Sequence, residues 1–443
     1  MSTVTAIRQS ATNYLETHLV GQPHLPASRS AWINTLRAEA VDRLDVLALP
    51  TLRDEAWRFT DISPLTKLSF FSALGATCLK AADVAQFYIE EATTRLVFVD
   101  GIYAPHLSST DAGSGVVVSN LPMTLVTHAA SIEVHLGHHA AFRDNVFAAR
   151  NTALLQDAAT IIVPRNVALV APVHLLFIAM QKEGVSMPRC LVIAGQGSAV
   201  TVIEDYVVLV QPSCQEEAYF TNAVTEIALE DNARVDHIRI QREGSKAFHI
   251  ANCAVSVGRS SNYQSVSVAL GAQISRYNLD LSLAEGAECA VDGLALIAAN
   301  QLADTHTCID HAQPRGVSRQ LHKCIVGGSA HAVFNGKVMV RRGAKRTDSV
   351  QSNRNLLLTG RAHVDTKPQL EIFADDVKCA HGATIGQLDD EEVFYLKSRG
   401  LSDSAARSLL IYAFGAEIIE RISVASLKHR LSQNVLEQTS SQP

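Results

Sequence analysis

The chain has 443 residues, long enough to bury a large core and longer than one ordinary domain. Apolar residues make up 47% and charged residues only 19%, against about a quarter in a typical globular chain. A formal net charge of −6 lacks the basic excess of a nucleic-acid-binding surface, and no apolar run reaches the roughly 18 residues of a membrane span.

The first residues, MSTVTAIRQSATNYLETHL, contain no apolar signal core or cleavage site. Glu16 and the scarcity of arginine also make them a poor transit peptide. Helix is expected over the first fifty residues, from Tyr14, Leu15, His18 and Leu19 and again from Trp32, Leu36 and Ala40, with Pro23 and Pro26 between the two pieces. Two short apolar strands follow, RLVFVDG at 95–101 and GVVVSNL at 115–121, with DGIYAP at 100–105 as a turn carrying an aromatic plug. Residues 1–155 therefore read as an α+β N-terminal region.

From about residue 160 short strands separated by Gly, Asn, Ser and Asp succeed one another with no helical period until about 386. Alternation is clean where Tyr277, Leu279, Leu281 and Leu283 share one face and Asn278, Asp280 and Ser282 the other. A weak phrase, small residues after a turn and then alternation, recurs as GQGSAVTVIE, LEDNARVDHI, AEGAECAVDG, GGSAHAVFNG and TGRAHVDTKP. Its spacing of roughly 30 to 55 residues favours a stacked β-solenoid over a sandwich or barrel. Small residues and a continuous inner face would also account for the low charge.

Helix returns at 387–443. Asp389, Asp390, Glu391 and Glu392 suit a helix N-terminus, Gly400 a C-terminal stop and Ser402 the N-cap of a second helix. Ala406, Leu409, Leu410, Ala413, Phe414 and Ile418 form its apolar stripe. Such a two-helix tail either caps the stack or docks a partner.

The chemistry-bearing motifs are few. No phosphate-binding loop is present: Gly336-Lys337 precedes Val338, and His331 stands where the first glycine belongs. Asp375 and Asp376 are adjacent and, on a strand, would point to opposite faces, so the carboxylate pair of a glycosidase is not indicated. The basic run Arg341, Arg342, Lys345 and Arg346 reads as a solvated turn. Eight cysteines are scattered without metal-binding spacing, and most read as buried reduced thiols. Three Cys/His pairs stand two residues apart: His306 with Cys308, His322 with Cys324, and Cys379 with His381. On a strand each pair shares one face, where thiolate and imidazole can ligate iron if other groups complete the site. A packed core or satisfied polar groups explain the first two pairs; the third lies among polar residues at the end of the β region.

SRQLHK (318–323), VFNGKV (333–338), DTKPQLEIFADDVKCAHGAT (365–384) and FYLKSRGLS…LLIYAF (394–414) closely resemble the SufD family of iron–sulfur cluster assembly subunits. WRFTDISPL (57–65) and LVFVDGIYAP (96–105) are similar to that family's N-terminal region. Gly382-Ala383-Thr384 after His381 is the SufD form, where the homologous SufB continues with Glu-Ala-Thr.

The resemblance implies a mainly β protein: a right-handed parallel β-helix at 156–386, an α+β N-terminal region and a C-terminal helical domain at 387–443. It implies a non-catalytic scaffold subunit in the bacterial cytoplasm or plastid stroma. The β-helix pairs with SufB, and the region 385–425 docks the ATPase SufC. The docking candidates are Phe394, Tyr395, Leu409, Leu410, Ala413 and Phe414. A transient iron–sulfur cluster is shared with SufB, for which His381, and with less support Cys379, are the ligand candidates. No nucleotide, nucleic acid or membrane partner is expected. The alternatives are a β-helical carbohydrate-active enzyme, and a structural partner whose His381 only hydrogen-bonds.

Overall fold

A computed structural model describes residues 28, 30–72, 79–180, 183–209 and 217–440. The expected helix around Tyr14, the breaks at Pro23 and Pro26, and Cys78 and Cys214 lie outside these residues.

From Ala159 to Gly386 strands alternate between two sheets, each coil giving one strand to each. The first sheet runs through Ala159–Val163, Arg189–Ala194, Tyr219–Leu229, Ala247–Val257, Ile274–Leu283, Leu302–His311, His331–Val340 and His363–Ile372. The second runs through Val173–Ala179, Ala199–Val208, Arg234–Arg242, Asn262–Ala269, Glu288–Ile297, Val317–Val326, Asp348–Leu357 and Lys378–Gly386. The pairings within each series are parallel, and the whole is a β-solenoid of about eight turns. Parallel pairing follows because the chain returns to each sheet only after visiting the other.

The repeated turn phrase does not mark one corner. GQGSAVTVIE, LEDNARVDHI and AEGAECAVDG lead into strands of the second sheet; GGSAHAVFNG and TGRAHVDTKP lead into strands of the first. The coil matches the shortest phrase intervals and is shorter than the longest. Leu302 pairs with His331 and His331 with His363, steps of 331 − 302 = 29 and 363 − 331 = 32 residues.

Alternation fixes which side chains face the lumen. Tyr277, Leu279, Leu281 and Leu283 are at most 4% exposed, whereas Asp280 and Ser282 are open. The interior is not apolar throughout, contrary to a reading from small residues and low charge. Glu204 is buried there, accepting hydrogen bonds from Thr225 Oγ1 at 2.8 Å and Tyr206 Oη at 2.7 Å, with His237 Nε2 at 3.1 Å. Burial works to raise its pKa, but His237 and these donors outweigh that and hold it at about 2. A buried charge survives only when so paired.

The N-terminal region contributes the helix Ala31–Val46, whose Ile33, Leu36, Ala40 and Leu44 are buried, and the strand Thr94–Val99, which joins the second sheet. Tyr103 of DGIYAP packs on Phe98 with ring centroids 5.5 Å apart, across a turn with Asp100 and Gly101 at positive φ. Helices Leu121–His135 and Val146–Ala153 also belong to it, the second capped by Asn145, whose Oδ1 accepts from Phe147 N at 3.0 Å.

Among the described residues the C-terminal tail has three helices rather than two: Asp390–Ser398, Asp403–Ile419 and Ala425–Ser440. The expected caps are present. Asp389 Oδ1 accepts from Glu391 N at 2.8 Å, Gly400 has φ +99°, and Ser402 Oγ accepts from Ala405 N at 3.2 Å. Helix Asp403–Ile419 does not close the stack. It lies on the outer face of the second sheet, where an added Cβ at Gly415 would stand 3.3 Å from Ile325 Cδ1. Lys323 Nζ bonds Phe414 O at 2.9 Å and Glu417 Oε2 at 2.5 Å, and Arg421 Nη1 reaches Asp292 Oδ1 at 2.6 Å. The third helix buries Leu427, Leu431 and Val435 and returns to the N-terminal region, where Ser426 N donates to Glu91 Oε1 at 2.8 Å.

Candidate functional site

Three Cys/His pairs with identical spacing occupy three different environments. His322 and Cys324 face the lumen in mid-stack and are 4% and 1% exposed. Burial pushes the imidazole down to about 4 and the thiol up to about 12, so both are neutral and stay in the core. His322 stacks on Phe334, centroids 4.8 Å apart.

His306 and Cys308 point outward. They line a cavity of about 640 Å³ between the first sheet and the segment Leu47–Trp57, with Arg276, Asp280 and Lys337 beside them. Asp304 Oδ1 takes His306 Nε2 at 3.0 Å, and Asp304 Oδ2 takes Arg276 Nη1 at 2.5 Å. Burial and then Asp280 push the Cys308 thiol up to about 11, which leaves it protonated at neutral pH and weakly nucleophilic.

Cys379 and His381 face the lumen as well, but on the last strand. Ser349 pairs with Cys379 and Gln351 with His381, so the inward columns read Ser318–Ser349–Cys379 and Gln320–Gln351–His381. Higher members are tied: Ser318 Oγ to Ser349 Oγ at 2.7 Å, and Gln351 Nε2 to Gln320 Oε1 at 2.8 Å. Gln351 Oε1 is buried without a hydrogen-bond partner among the described residues. Among the described residues no rung lies beyond His381, and its side chain is exposed. Cys379 is half-buried against the small apolar cluster of Val338, Val340 and Ala344. Burial raises the Cys379 thiol, so binding a metal there requires it to release its proton.

The end of the stack is open on both sheets. Among the described residues, Lys378–Gly386 pairs only with Asp348–Leu357, and His363–Ile372 only with His331–Val340. Each leaves a row of backbone groups unpaired, and Ile372, Phe373 and Ile385 are 41%, 60% and 49% exposed around them. Asp375 and Asp376 occupy the exposed turn between these two strands, with Asp376 at φ +56°. Arg341, Arg342, Lys345 and Arg346 form an exposed turn as expected, Arg341 Nη2 meeting Asp310 Oδ2 at 2.5 Å.

The buried face of the helix is offset from the expected stripe. Of the stripe only Ala406 and Ile418 are buried, and the face towards the solenoid is completed by Ile411, Gly415 and Ile419. Phe394, Tyr395 and Leu409 are 73%, 56% and 43% exposed, and Ala413 is open. Leu410 and Phe414 are half-buried, Phe414 with Lys323 Nζ 4.4 Å above its ring. No helix among the described residues is long and apolar enough to cross a membrane.

Two conserved-domain descriptions cover this architecture. The SufBD core domain of the SUF iron–sulfur cluster assembly system matches residues 177–414, and the SufBD protein N-terminal region matches residues 8–175. The chain is 42% identical to an iron–sulfur cluster assembly SufBD family protein of Synechocystis, over 90% of this chain and 89% of that one. It is 33% identical to the iron–sulfur cluster assembly protein SufD of Escherichia coli, over 93% of this chain and 97% of that one. It is 31% identical to the chloroplastic protein ABCI7 of Arabidopsis thaliana, over 92% and 86%. The chain belongs to the SufBD family of iron–sulfur cluster assembly proteins, and within it to the SufD type.

Proposed function

We propose that the chain is a non-catalytic scaffold subunit on which an iron–sulfur cluster is assembled together with a SufB-type homologue. The observation that carries this reading is the open last coil. Two unpaired strand edges ringed by exposed Ile372, Phe373 and Ile385 form a template for strand addition by another β-solenoid. His381 and Cys379 stand inside that opening, where a partner's ligands can join theirs.

The cluster is cargo in this reading, and the donor set suits it. Imidazole and thiolate both ligate iron in clusters, and two donors from one chain leave the remaining positions to a partner. The chain supplies position, with the ladder to Asp348–Leu357 fixing both side chains on one inward face.

The exposed face of the C-terminal helices, with Phe394, Tyr395 and Leu409, is the docking surface for the SufC-type ATPase. It stands apart from the face that binds the solenoid. The chain has no phosphate loop, so ATP turnover belongs to that partner. Phe394→Asp places a charge on this surface, far from the buried face. It is expected to remove the ATPase from the purified complex while the SufB-type partner stays bound. Loss of both partners together, or of neither, would contradict the division of surfaces.

A further inference from the structure

A second donor cluster lies on the outer face of the first sheet, at its last two strands. His331 and His363 are directly paired across His331–Val340 and His363–Ile372, and Asp365 stands two residues on, on the same outer face. His331 Nε2 lies 2.8 Å from Asp365 Oδ2, and His363 Nε2 lies 3.2 Å from the same oxygen. One donor atom from each of the three residues falls within 4.8 Å of the others, and the two rings are 4.9 Å apart. No lysine or arginine bridges Asp365 among the described residues.

From this geometry we infer that His331, His363 and Asp365 bind a divalent first-row transition-metal ion. Metal–ligand bonds of about 2.0–2.2 Å place neighbouring donors about 3.0–3.4 Å apart in octahedral or tetrahedral sites. The two measured separations, 2.8 and 3.2 Å, are close to that spacing before any adjustment. Two imidazoles and one carboxylate suit zinc, cobalt or ferrous iron rather than magnesium or calcium, which favour all-oxygen sites. The backbone is a paired ladder, so His331 and His363 are held side by side without a ligand. Three protein donors leave coordination positions to solvent, and the His363 side chain is 65% exposed. Such a site exchanges its ion rather than locking it in as a structural metal would.

This inference is independent of the scaffold reading, because it concerns the outer face and not the lumen where Cys379 and His381 stand. The test is Co²⁺ binding to the full-length chain alone, followed by its ligand-field absorption and by displacement with Zn²⁺. One ion per chain is expected, with the spectrum lost on adding Zn²⁺. His363→Ala alters an exposed side chain and leaves folding intact; it is expected to weaken Co²⁺ binding about tenfold or more. Asp365→Asn should do the same. A chain carrying both Cys379→Ser and His381→Ala should bind Co²⁺ as the unaltered chain does. Stoichiometric Co²⁺ that survives His363→Ala and Asp365→Asn together would overturn the assignment, and so would an unaltered chain that binds none. Neither result would touch cluster loading with the partner, which is read at His381.

Discussion

The middle and the end of the solenoid share one design and differ in a single respect, whether another coil follows. In mid-stack the inward column holds Gln320 at 4% and Gln351 at 1% exposure, bonded to one another. One strand further the same column holds His381, exposed. The backbone ladder is equally regular in both places. An inward position in the middle is committed to packing, whereas the same position at the end is free to meet a partner. On the proposed reading, stability and function are thereby separated along the axis of the stack.

Substitutions can break that comparison at either place, and the largest effects belong to the middle. Glu226 and Arg189 form a fully buried pair at 2.5 Å, and Glu226 also accepts from the amides of Gly137, His139 and Ala140. Glu226→Ala leaves a guanidinium buried without its charge partner. It is expected to lower the stability by about 3–5 kcal/mol in urea unfolding. No substitution within Lys378–Gly386 should approach this.

Acid should act on the middle as well. The folded pKa of His322 lies at about 4, below its ordinary 6.5, because burial disfavours the charged ring. Its neutral form is therefore favoured by folding, and the stability is whole above pH 6.5 and is lost as the pH falls towards 4. Between pH 7 and pH 5 this one group removes about 2 kcal/mol. Urea midpoints at the two pH values should show that difference, and His322→Gln should shrink it by that share.

A pair of glycine substitutions makes the contrast directly. An added Cβ at Gly293 would meet His322 Nδ1 at 2.1 Å, inside a filled stack. At Gly382, on the last strand, it would meet nothing within 4 Å. Gly293→Ala is expected to destabilise by about 1–3 kcal/mol and Gly382→Ala by under about 0.5 kcal/mol, both read by thermal unfolding. Equal losses would mean that the end is packed like the middle.

Much of this architecture is legible in the chain itself. Period-two alternation over Tyr277–Leu283 and the absence of helical period give the solenoid, because in a strand the face a residue takes is set by its sequence parity. Asp389, Gly400 and Ser402 announce the helix ends through local hydrogen bonding, which needs no tertiary context. Helix Ala425–Ser440 escaped because its apolar positions, Leu427, Leu431 and Val435, are sparse and sit among polar residues. Their burial depends on the N-terminal region they meet. The inward face of Glu204 and His237 is likewise unreadable, since only cross-strand partners make a buried carboxylate tolerable. At the site, spacing places Cys379 and His381 on one face, and only their polar neighbours at the end of the β region set them apart from His322 and Cys324. That distinction depends on where the stack stops. His331, His363 and Asp365 are invisible for the same reason: the register that joins them spans a whole coil.

The most direct measurement is made at His381, in the complex with the SufB-type and SufC-type partners, reconstituted anaerobically with iron and sulfide. His381→Ala removes the proposed ligand from an exposed inward position at the end of the stack. The complex should elute as before, and the chain's unfolding free energy should move by no more than about 0.5 kcal/mol. Iron and acid-labile sulfide per complex should fall severalfold, with Cys379→Ser producing a smaller loss. A His381→Ala complex that acquires the full complement of iron and sulfide would contradict the claim that the open end of the stack holds the cluster.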